Sequence, residues 1–454
     1  MRGGAIMSIA ELHRREYGHI LASLIRVVRD ISLAEDALQE AFAAALEQWP
    51  QTGQPHNPVA WLLRAARNKA IDQIRRSVMA EQKRDEIAAA IAPEEDAPVP
   101  LDSLRLIFTC CHPVLAPEAQ IALTLRTVCG LSTEEIARAF VVPVATLAQR
   151  IVRAKAKIKS ARIPYEVPAD EELAARLDGA LAVVYLVFNE GYAASFGSDL
   201  VRADLCAEAI RLGRELVVLL PEEREPKGLL ALMLYNDARR ATRTDAEGEL
   251  VLLEHQDRSL WDRERIAEAN ALLDDALGAA SAGTRNGAGR SAHSGTRSGA
   301  GRSARAGTRN GAGRSTHAAT HSANGRESSA PGSYSVQAAI AALHAGAPSF
   351  EQTDWAQIAG LYGVLARLHP SPIVELNRAV AIAMAEGPER GLALLDAIEL
   401  PGYHLLPAAR ADLQRRLGRF PDAAESYRSA LALVNNDAER RYLERRLAEV
   451  EGEG

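Results

Sequence analysis

Thr146, Gln149, Arg150, Arg153, Lys155 and Lys157 fall within twelve consecutive residues. Such a set can read a nucleic-acid duplex. Hydroxyl, amide and guanidinium groups meet base edges, and cationic groups meet phosphates. Thr146, Gln149 and Arg150 are the base-edge candidates; Arg153, Lys155 and Lys157 are the phosphate candidates. A second set lies upstream: Trp61, Arg64, Arg67, Asn68, Lys69, Arg75 and Arg76, with Asp72 among them. It joins positive charge to an indole, a combination that holds a backbone while unstacked bases stack. Trp61 reads equally well as core. A third set is acidic: Glu35, Asp36, Gln39 and Glu40 flank apolar Leu38 and Phe42. Taken alone, that is an ordinary amphipathic surface helix.

The first set needs two helices and a turn. Ser132-Thr133-Glu134-Glu135 is a capping box that opens a helix. Ile136, Ala137 and Phe140 supply its core face. Val141-Val142-Pro143 makes the turn, with Pro143 suited to the first position of the next helix. In that helix Leu147, Ile151 and Ile158 point inward, while Arg150, Arg153 and Lys157 share one face by spacing. This is a helix-turn-helix pattern, whose second helix enters the major groove by its start. Residues 8–80 are helical in periodicity throughout. Ile20, Leu21, Leu24, Ile25 and Val28 line one face, and Leu38, Phe42 and Leu46 another. A polar, proline-containing break follows at Trp49–Pro58.

The remaining sequence divides by composition. Residues 81–101 end in APEEDAPVP and read as a linker. Residues 102–162 and 170–277 read as helical. Residues 278–332 contain three near-copies of a 12-residue unit of the type GTRNGAGRSAHS. The units hold no large apolar residue, so the stretch reads as a disordered Gly/Arg/Ser tether. Contact of its arginines with DNA or polymerase is the lesser alternative. Residues 333–451 read as helical hairpins, one of them turning at Gly387-Pro388. The chain has 454 residues and a net charge of −6, so any nucleic-acid contact must rest on local basic clusters. Leu and Ala dominate and aromatics are few, which favours an all-α build.

No targeting segment opens the chain and no apolar run is long enough to span a bilayer, so the expectation is a cytoplasmic protein with reduced thiols. Cys110, Cys111, His112 and Cys129 have a loosely zinc-like spacing but no C-x-x-C pair. They read as buried core thiols, with no metal and no cofactor. Asn189-Glu190-Gly191 reads as a helix end capped by Gly191, and Glu190 alone makes no catalytic site. No nucleotide loop, nucleophile elbow or metalloprotease motif is present, which points away from an enzyme.

Residues 34–76 and 131–159, in this order, resemble the two DNA-handling domains of extracytoplasmic-function sigma factors of the sigma-70 superfamily. The segment at 34–42 is similar to the D-x-x-Q-E-x-F pattern of sigma domain 2. The resemblance implies that Asp36, Gln39, Glu40 and Phe42 contact core RNA polymerase. It implies that the Trp61–Arg76 set recognises and helps open the −10 element, and that the helix-turn-helix reads the −35 element. The second helix departs from the group at Ala148 and Pro143. Residues 417–431, LGRFPDAAESYRSAL, resemble half of a tetratricopeptide unit. Together with FNEGY and YSVQAAIAALHA, they make the chain similar to the subgroup with a tetratricopeptide-like C-terminal extension. The implied activity is promoter recognition and transcription initiation, with core polymerase and promoter DNA as partners. The extension would regulate and would offer a surface to a protein partner. Two alternatives stay open: a helix-turn-helix regulator that does not dock on polymerase, and a helical-repeat scaffold.

Overall fold

The computed structural model describes residues 8–76, 100–140, 142–193, 201–245, 248–278 and 330–453. The 12-residue repeats and most of the 81–101 linker lie outside these residues. Among the described residues the chain is all-α, with a bridge pair at Thr244 and Leu250. Capping begins the first helix, α1 (Ile9–Val28): Ser8 accepts from the Glu11 amide and Glu11 returns to the Ser8 amide. Asp30 caps α2 (Ile31–Thr52) through the amides of Ser32 and Leu33. This helix runs past Trp49 and carries Pro50 in its last turn, so the expected break narrows to residues 53–57. Helix α3 (Pro58–Arg76) packs along α2.

The next four helices are α4 (Pro100–Cys110), α5 (Pro117–Thr127), α6 (Thr133–Ala139) and α7 (Val144–Ser160). The expected linker therefore ends two residues early, inside α4. The Ser132–Glu135 capping box forms as read, with bonds of 2.7 and 3.1 Å. Leu147, Ile151 and Ile158 are buried with Ala154. Pro143 stands at the cap, one residue before its expected place at the first helical position.

Four helices make the middle region: α8 (Asp170–Tyr192), α9 (Ala203–Leu219), α10 (Arg224–Ala238) and α11 (Arg263–Ala276). The expected helix end falls one residue beyond Gly191, with Tyr192 the last helical residue and Ala193 at the cap. Glu190 is paired with Arg202 at 2.8 Å. A Cβ on Gly191 would sit 2.7 Å from the Cys206 amide. Glycine is there so that the start of α9 can approach the backbone.

The chain ends in α12 (Ser333–Gly346), α13 (Trp355–Leu368), α14 (Pro372–Glu386), α15 (Pro388–Leu395), α16 (Leu405–Arg416), α17 (Phe420–Leu431) and α18 (Asp437–Glu453). Each packs on its neighbour in sequence, as a helical-hairpin array does. The hairpin turn at Gly387, with φ of 110°, falls where the sequence places it. The array is joined to the middle region through α10 and α12. Glu225 accepts from the Tyr334 amide at 2.8 Å and from the Ser335 hydroxyl at 2.5 Å, satisfying free donors at the start of α12.

One continuous apolar core runs from α1 to α12, and smaller cores follow along the array. Helix α1 packs on α4 and α5, and α8 and α9 cover α4. Asp102 is fully buried between Arg26 at 3.0 Å and Arg105 at 2.7 Å. His19 shares a 2.8 Å hydrogen bond with Ser103.

Candidate nucleic-acid and polymerase interface

Five of the six residues proposed for duplex reading share one groove. Thr146, Gln149, Arg150, Arg153 and Lys157 line a 330 Å³ cleft against the start of α5. Their offsets of three and four residues stack them along one face of α7. Lys155 lies on another face. Its ammonium donates to Glu35 Oε2 at 2.5 Å, and Lys159 donates to Asp30 Oδ2 at 2.9 Å. Burial raises the Asp30 carboxyl, but the bond from Lys159 and the amides of α2 outweigh it and hold it below its ordinary value. The Lys159 ammonium is raised in turn by the same bond. The phosphate role read for Lys155 is therefore not available in this arrangement, because its charge is spent on α2.

On α3, Arg64, Asn68 and Lys69 are exposed and Arg67 is half-buried. Lys69 pairs with Glu40 at 3.3 Å, and Gln73 donates to the same carboxylate at 2.8 Å. Trp61 is half-buried and meets buried Trp49 edge-on, with ring centroids 5.4 Å apart. Trp61 packs on the core and keeps part of its surface exposed, so both readings of it keep a structural basis. Arg75 and Arg76 belong to the last turn of α3.

On α2, Asp36, Gln39 and Glu40 are exposed. Phe42 is not: its ring is buried against His13 and Tyr17, at centroid distances of 4.9 and 6.4 Å. It positions the acidic face and presents nothing to a partner. Leu46, expected inside, is 59 % exposed. With Ala43 it continues the face that Gln39 begins, one helical turn apart. The sequence pattern missed Leu46 as a surface residue because an apolar residue at helical spacing is ordinarily read as core.

All four cysteines are buried and free. Cys110 Sγ lies 3.0 Å from the Thr127 hydroxyl, and burial pushes the Cys111 thiol up to about 11 and Cys129 to about 12. Such thiols are not nucleophiles at neutral pH. Among the described residues no three His, Cys, Asp or Glu side chains stand together as a metal site, and no helix is long and apolar enough to cross a membrane.

Residues 12–78 match the sigma-70 region 2 family and residues 105–158 match sigma-70 region 4. Residues 176–277 match a family of unknown function, DUF6596. A protein of Rhizobium meliloti described as uncharacterised is 41 % identical over 446 residues, spanning 94 % of this chain and 92 % of its own. The RNA polymerase sigma factor CarQ of Myxococcus xanthus is 32 % identical over 139 residues, 30 % of this chain and 78 % of CarQ. A probable extracytoplasmic-function sigma factor of Mycobacterium tuberculosis, SigI, is 25 % identical over 173 residues, 36 % of this chain and 59 % of SigI. No solved structure matches the chain. Two sigma regions in the family's order, on the helices that carry the acidic face, the Trp-bearing basic face and the helix-turn-helix, decide the matter: the chain is a member of the extracytoplasmic-function group of the sigma-70 family.

Proposed function

We propose that this sigma factor is held in a closed form by its own C-terminal extension, and that transcription requires the form to open. Asp36, Gln39, Glu40 and the neighbouring Leu46 would dock on core polymerase. Trp61, Arg64, Arg67, Asn68, Lys69, Arg75 and Arg76 would take the −10 element. Thr146, Gln149 and Arg150 would read the −35 element, with Arg153 and Lys157 on phosphates and Lys155 joining them after opening. The action is stoichiometric, not catalytic.

The Lys155–Glu35 pair carries the closed reading. Promoter elements at −10 and −35 lie about 25 base pairs apart, or about 85 Å of B-DNA. Helix α2 is 22 residues long, about 33 Å, and α3 lies along it. With α7 bound to the start of α2, the two DNA faces are far too close to hold both elements at once. Residues 77–99 can reach about 80 Å when extended, enough to let the domains part.

The middle region ties both domains down. Arg176 donates to the Phe108 carbonyl at 2.8 Å and Arg211 to the Val128 carbonyl at 3.4 Å, both within the region 4 match at 105–158. Glu215 lies 3.7 Å from His19 in domain 2. The extension therefore favours closure.

Run-off transcription with core polymerase tests this reading. The full chain should support transcription from its promoter, Arg150→Ala and Asp36→Ala should each abolish it, and a chain ending after residue 168 should be more active. Duplex binding without any transcription would favour a regulator that does not dock on polymerase. Equal activity of full and shortened chains would end the claim that the extension regulates.

A further inference from the structure

A cavity of about 550 Å³ lies where the middle region meets the repeat helices, within the size range of small-molecule sites. Its walls come from α8, α10, α12, α13 and α14, and no Asp or Glu lines it. The polar lining includes Arg239, Asn236, His344 and Asn377, and the rings of Tyr185, Tyr362 and Trp261 supply flat apolar surface.

Arg239 is half-buried. One of its five N–H donors goes to Asn236 Oδ1 at 3.2 Å, and among the described residues no carboxylate pairs with it. Arg258 stands close by, giving one nitrogen to the carbonyls of His344 and Ala347 and leaving Nη2 buried without a partner. Nδ1 of His344 is likewise buried and unpartnered. Burial first, and then the positive charge of Arg239, lowers the Arg258 guanidinium, with Glu351 opposing them. The junction thus holds excess positive charge and unmet hydrogen-bonding capacity around an aromatic-walled space. Arg239 also packs over the Tyr192 ring at 5.7 Å, and its remaining donors, with no carboxylate beside them among the described residues, suit an anion.

We propose that this cavity is a binding site for a small organic carboxylate, with its charged end on Arg239 and its apolar or aromatic body against Tyr185 and Tyr362. A carboxylate matches the guanidinium fork two-pronged. Asn236 stands beside Arg239, and Asn377 of α14 lines the same cavity. A volume of about 550 Å³ is on the scale of a single small molecule. The site stands apart from the DNA and polymerase faces and does not depend on their assignment.

Isothermal titration calorimetry on the full chain tests the site, with salicylate and indole-3-acetate as probes and salicylamide and indole-3-acetamide as neutral controls. At least one acid should bind with a Kd below about 1 mM, and its amide should bind at least about tenfold more weakly. Arg239→Gln should weaken acid binding at least about tenfold. Because that change also touches the domain junction, Asn377→Asp serves as the second variant. It places a negative charge on the far wall and should weaken the acid about tenfold while leaving the amide unchanged. Three results would each overturn the proposal: no heat from either acid up to about 10 mM, equal binding of acid and amide, or acid affinity unchanged in both variants.

Discussion

Glu35 is 4 % exposed, and Lys155 reaches it from another domain. Removing one partner of a buried ion pair leaves a charge with neither water nor counter-ion, at about 3–5 kcal/mol. Here that cost falls on the closed arrangement, because opening returns the carboxylate to water. Lys155→Ala should therefore expand the free protein, seen as a larger radius of gyration in small-angle scattering, and Glu35→Gln in the same chain should restore compactness in part. His344 gives a pH signature of a different kind. Burial, then Arg239 and Arg258, push its pKa down to about 4 from an unfolded value near 6.5. The unfolded chain then binds a proton that the folded chain refuses, so stability is complete above about pH 6.5 and falls as pH drops toward 4. The loss is at most about 3 kcal/mol. Urea unfolding between these pH values should show a shallower slope in His344→Gln than in the parent protein.

At the scale of elements, the contact between domains is set by how close helices can come. A Cβ on Gly18 of α1 would lie 2.1 Å from the Val128 carbonyl oxygen, against backbone that cannot step aside. Alanine is the better helix former by about 1 kcal/mol, so Gly18→Ala should strengthen α1 itself. The clash should nevertheless win where α1 meets the end of α5, and amide exchange should quicken around Val128 while α1 stays protected. Slower exchange there would mean that the helices are not held at this distance. The same reasoning applies to Gly191, which admits the start of α9. It explains why glycine stands in the last turn of α8.

At the scale of the molecule, the proposed opening predicts a longer distance between α3 and α7 in the promoter-bound form than in the free chain. Dyes placed at Gln51 near the end of α2 and Glu134 in α6, both exposed and outside the proposed contact sets, should transfer energy efficiently in the free chain and poorly in the complex with core polymerase and promoter DNA. The expected separation rises from a few tens of Å, set by the 22-residue length of α2, to about 85 Å. High transfer in the initiation complex would contradict opening. The proposed control would act through these contacts: α8 and α9 cover α4, and Glu225 with Gly228 seats the array on α10.

The sequence by itself determined the local pieces. The capping box at Ser132–Glu135, the inward Leu147, Ile151 and Ile158, the grouping of Arg150, Arg153 and Lys157, and the hairpin at Gly387 all follow from spacing and cap chemistry, which act within a few residues. The family followed from the same short motifs. Tertiary structure decided what spacing cannot. Lys155 and Arg153 have the same charge in the same helix, yet one faces a groove and the other is spent on Glu35, 120 residues away. Phe42 and Leu46 repeat at one helical turn, yet one is covered by His13 and Tyr17 and the other by nothing described. The carboxylate-free cavity joins Arg239 to Asn377 across 138 positions. Burial and counter-charge depend on which distant element arrives, and that is fixed only when the domains pack on one another.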